Sequence, residues 1–79
     1  MAIKLDPQFA FAYYTNRAST KEKINNYIGA IADYQQALSL NPKIDSIYDK
    51  LIKCYEKQNQ YKKAEEIRRL KQKNCPDNQ

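Results

Sequence analysis

The chain has 79 residues, enough for a single domain. A chain this short buries about 60% of the surface its unfolded form exposes, so its own core is marginal. Hydrophobic residues at 42% and charged residues at 29% exclude obvious disorder. No apolar run approaches the roughly 20 residues of a transmembrane helix, and no basic-then-apolar leader follows Met1, so a soluble, cytoplasmic chain is expected. The net charge of +5 favours acidic partners. Much of the excess sits in Lys62, Lys63, Arg68, Arg69, Lys71 and Lys73, where a solvated helix face accounts for it.

The residues Ala2 to Leu5 read as the end of a preceding helix, a stub occupying residues 1–7 together with its stop. Asp6 then offers a carboxylate to free amides and Pro7 suits a first helical turn, so a helix is predicted from Pro7 to Lys23. Asn25-Asn26 breaks it. The second helix, Tyr27 to Leu40, sets Tyr27, Ala30, Ile31, Tyr34, Ala37 and Leu38 at three- and four-residue steps and is expected to be the best amphipathic segment. Asn41-Pro42 ends it. A third helix, Ile44 to Lys57, aligns Ile44, Ile47, Tyr48, Leu51, Ile52 and Tyr55 in the same way, and Asn59-Gln60 turns the chain again. The last helix, Tyr61 to Lys73, has Tyr61, Ala64, Ile67 and Leu70 on a thin apolar side and reads as a terminal, solvent-facing element. Residues 77–79 read as a disordered tail.

Two periodicities organise these elements. Pro7, Pro42 and Pro76 stand 35 and 34 residues apart. Between them Tyr14, Glu22, Lys23, Asn25, Tyr27 and Ala30 recur 34 residues later as Tyr48, Glu56, Lys57, Asn59, Tyr61 and Ala64. Helices joined by such short loops must run antiparallel, giving one hairpin over residues 8–42 and another over 43–76. Ala30 and Ala64 fall where the partner helix of each hairpin crosses, while tyrosines fill the wedges between hairpins.

This pattern resembles the tetratricopeptide repeat family. The residues that carry the likeness are Tyr14 and Ala18, then Tyr27, Ala30, Ile31, Tyr34, Ala37 and Pro42, echoed by Tyr48, Leu51, Tyr55, Tyr61, Ala64 and Pro76. The resemblance implies an all-α, right-handed helical-hairpin solenoid of about two repeats plus the end of a preceding one. It also implies a protein–protein interaction module or scaffold that binds through the concave face lined by the first helix of each hairpin. Carried over by position, that face comprises Ala12, Thr15, Asn16, Ser19 and Lys23, then Ser46, Asp49, Lys50, Lys53 and Lys57. Asn16 and Lys50 match two positions of the family's carboxylate clamp, but Ser46 replaces a clamp lysine. The residues therefore support a looser groove for an acidic or extended segment.

Arg17 and Lys21 depart from the family by standing beside Tyr14 and Ala18 where large apolar and aromatic residues belong. On one reading the late half of this helix splays or their stems snorkel to solvent; on the other they meet an acidic surface of another chain. Phe9, Phe11, Tyr13 and Tyr14 cannot share one groove, because each residue turns by about 100°. Phe9, Phe11, Tyr13, Arg17 and Lys21 are thus the candidates for self-association, in a homodimer or in a longer array of repeats.

Other chemistries find little support. Single-stranded RNA binding is compatible with the charge and the tyrosines, but those tyrosines fall at core spacing and would pack rather than stack on bases. Catalysis is not expected, for the chain has no histidine, no glycine-rich phosphate loop and no nucleophile elbow. Cys54 and Cys75 lack metal or disulfide-framework spacing, so no metal or cofactor is expected and a buried and a tail thiol are.

Overall fold

A computed structural model of the protein describes residues 6–76. It contains α1 (Pro7–Lys23), α2 (Tyr27–Leu40), α3 (Asp45–Lys57) and α4 (Tyr61–Asn74), and no strand among the described residues. The fold is the expected all-α pair of helical hairpins, with α1 packed on α2, α2 on α3, and α3 on α4. The stub at Ala2 to Leu5 and the tail over 77–79 lie outside the described residues.

Each boundary has a local cause. Asp6 accepts a hydrogen bond from the Gln8 amide at 2.9 Å and Pro7 opens α1 with its fixed φ. Asn26 caps α2 by accepting from the Gly29 amide at 3.1 Å. Gly29 is small for a reason, since a Cβ there would come within 2.8 Å of both the Lys21 stem and the Asn26 amide group. The two hairpin turns are copies of one another. Asn25 and Asn59 take left-handed φ of 62° and 59°, a region that asparagine tolerates better than most residues. Asn25 and Asn26 donate to the Glu22 and Lys21 carbonyls, as Asn59 and Gln60 donate to those of Glu56 and Tyr55. This paired bonding closes each helix in a Schellman motif. The side chains repeat too: Tyr27 donates to Asn25 Oδ1 at 3.0 Å and Tyr61 to Asn59 Oδ1 at 3.1 Å.

The core joins all four helices through Ala18, Ala30, Ile31, Tyr34, Ile47, Leu51, Ile52, Cys54, Tyr55 and Ala64. Ala18, Ala30 and Ala64 are sealed from solvent, as close crossing of the rods demands. One expectation is corrected here. α3, not α2, divides most cleanly into buried and exposed faces: it buries Ile47, Tyr48, Leu51, Ile52, Cys54 and Tyr55, whereas α2 exposes Ile28 and Leu40 and buries Asp33. α4 has the expected thin apolar side, with Ala64 buried, Ile67 partly buried, and Tyr61 and Leu70 exposed. Its far end is moored by polar bonds: Asn74 donates to the Tyr48 hydroxyl at 2.9 Å, and that hydroxyl donates to the Pro42 carbonyl at 2.8 Å.

Candidate functional site

The predicted binding residues lie on the first helix of each hairpin. On α1, Thr15 and Ser19 are half-buried while Asn16 and Lys23 are exposed. The Thr15 hydroxyl is spent locally, donating to the Ala12 carbonyl at 3.1 Å. Ser19 and Lys23 border a shallow concavity together with Glu22. Glu22 was not among the expected site residues. It accepts a 2.7 Å bond from the Tyr34 hydroxyl, and burial together with this carboxylate pushes the Tyr34 phenol well up from its usual range.

On α3, Lys50, Lys53 and Lys57 are exposed, and their spacing puts them on one face. Among the described residues no carboxylate lies within 4.0 Å of any of the three ammonium groups. The same helix buries the Cys54 thiol, pushed up to about 11 by burial and by Glu22, with Lys53 and Lys50 opposing the shift. Being protonated and sealed, the thiol is a packing group rather than a nucleophile. Asp49 belongs elsewhere. It accepts a 2.8 Å bond from Lys71 and lines a separate groove between α3 and α4 with Asp45, Ile52, Glu65 and Arg68. Its proximity to α4 raises the Lys71 ammonium above its usual range.

The self-association candidates divide. Phe9 and Tyr13 are 71% and 52% exposed, but Phe11 packs against the core. Neither reading of Arg17 and Lys21 anticipated their partner, which is Asp33 on α2. Arg17 donates from Nε to Asp33 Oδ2 at 2.9 Å and from Nη2 to Oδ1 at 3.0 Å, and Lys21 Nζ reaches Oδ2 at 3.1 Å. Asp33 is only 3% exposed. The Arg17 bond, then Lys21, overcome desolvation and hold its carboxyl below the usual carboxylate range. Arg17 also donates from Nη1 to the Tyr13 hydroxyl at 2.7 Å and lies 5.1 Å from the centre of that ring. Asp33 had a signal in the sequence. Thirty-four residues on, Arg17, Lys21 and Asp33 correspond to Leu51, Tyr55 and Ile67, so three apolar stations change together.

Among the described residues no group of three potential metal ligands occurs, and no helix is long and apolar enough to cross a membrane. Comparison with protein families matches residues 11–44 to the tetratricopeptide repeat. Those residues run from the first turns of α1 to the residue before α3. Comparison with curated proteins and with solved structures gives no match.

Proposed function

We propose, for a chain that belongs to the tetratricopeptide repeat family, that its α1 and α3 surfaces bind an extended acidic segment of another protein. The family is a non-catalytic module of protein–protein interaction, and this chain carries its helical hairpins. The observation that carries the finer reading is the row of Lys50, Lys53 and Lys57. Three exposed ammonium groups on one face, with no carboxylate answering them among the described residues, make a positive strip on α3. Backbone carbonyls and side-chain carboxylates of an extended peptide could track such a strip.

The test is fluorescence anisotropy with a labelled acidic peptide at two salt concentrations. Exposed ion pairs each contribute about 0.2–1 kcal/mol. Replacing Lys50, Lys53 and Lys57 together by alanine should therefore weaken the complex about tenfold, while Lys62→Ala with Lys63→Ala leaves it unchanged. Equal losses from both sets would reduce the interaction to net charge. Tighter binding of single-stranded RNA, with a steep salt slope, would overturn the protein-binding reading.

A further inference from the structure

The second hairpin shows what the outer face of the first is shaped to receive. On α3, Ile47, Leu51 and Tyr55 lie one turn apart, and α2 rests on this side, where Gln35 donates to the Tyr55 hydroxyl at 3.0 Å. The corresponding residues of α1 are Tyr13, Arg17 and Lys21, which repeat the same stations 34 residues earlier. α2 reaches the Arg17 and Lys21 head groups through Asp33, but among the described residues no helix lies over Tyr13 and the outer side of Arg17, which stay exposed. In place of the apolar trio Leu51, Tyr55 and Ile67 the first hairpin has two cations around one carboxylate, Arg17 and Lys21 around Asp33. The cluster carries one unmatched positive charge. It is rimmed by the exposed rings of Phe9 and Tyr13, and the Arg17 side chain is 44% exposed.

We propose that this face of α1 docks an amphipathic helix of a partner protein, laid across α1 as α2 lies across α3, with a carboxylate directed at Lys21 and Arg17. The repeat supplies the geometry and the unmatched cation supplies the selectivity. A purely apolar helix would strand the charged cluster away from water without compensation. A helix with glutamate at the station of Gln35 would instead meet Lys21 where Gln35 meets Tyr55, completing a set of two cations and two carboxylates. The surface is distinct from the lysine row of α3, so the two proposals stand or fall separately.

The probes are three end-capped peptides with the sequence of residues 27–40: the natural one, one carrying Gln35→Glu and one carrying Gln35→Lys. Each is titrated into the folded chain and followed by amide chemical shifts. The Gln35→Glu peptide should bind at least about tenfold more tightly than the Gln35→Lys peptide. Its shifts should centre on Tyr13, Arg17 and Lys21. The preference should shrink in a Lys21→Gln protein, and affinity should fall in a Tyr13→Ala protein whose circular dichroism is unchanged. Equal binding of the three peptides, or binding by none, would overturn the proposal. So would shifts centred on Ile47 and Leu51, which would mean that the peptide had displaced α2. Concentration-dependent dimerisation through Phe9 and Tyr13 without peptide would give the face to a second copy and would also overturn it.

Discussion

Asp33 is the residue whose removal and whose isolation should differ most. A buried carboxylate deprived of its cations costs about 3–5 kcal/mol, because the charge then stands alone in a poor solvent. Replacing Arg17 and Lys21 together by methionine should lower the urea midpoint severely. Asp33→Asn should cost far less, since both freed cations can swing to water. Acid adds a second expectation. The Asp33 carboxyl is depressed chiefly by its bond to Arg17. Its stabilisation is therefore complete above the unfolded value of about 4 and is lost as pH falls through the lower folded value. Urea unfolding between about pH 5 and pH 2 should show the natural chain losing stability more steeply than the Asp33→Asn variant.

The helices and their turns were largely legible in the sequence, and the reasons are particular. Asn25 and Asn59 stand where the chain must enter a left-handed conformation, and they do so with φ of 62° and 59°. Asn25→Ala should accordingly cost about 1 kcal/mol more than Asn25→Gly, because glycine enters that region freely and alanine does not, while both lose the bond from Tyr27. Thermal melts of the matching pair at Asn59 should give the same ordering. Long-range polar bonds were much less legible. Nothing local announces that Lys71 meets Asp49 or that Asn74 holds Tyr48, because register between α3 and α4 follows from packing and not from any one helix. The amphipathic ranking was misjudged because counting apolar stations on α2 overlooked Asp33 inside the stripe. The partner of Arg17 and Lys21 was recoverable by laying the two repeats over one another.

At the scale of the molecule, small residues at the crossings let the paired helices nest, and among the described residues no carboxylate engages the outward lysines of α3. Ala64 is enclosed, so Ala64→Leu should overpack the junction of α4 with the core and cost about 1–3 kcal/mol, read from the denaturation midpoint. On α4, Arg68 pairs with Glu56 at 2.9 Å and Lys71 with Asp49 at 2.8 Å, whereas Lys62, Lys63, Arg69 and Lys73 have no carboxylate within 4.0 Å among the described residues. The lysine row of α3 has no such partners among the described residues either; what sets it apart is its place on one face of the first helix of its hairpin, and the proposed function depends on that. The most direct measurement is a map of amide chemical shifts while an acidic peptide is added. Perturbations centred on Ser19, Lys23, Lys50, Lys53 and Lys57 are the expected result. Perturbations centred on Lys62, Lys63 and Arg69 of α4, or spread evenly over every basic residue, would contradict the account.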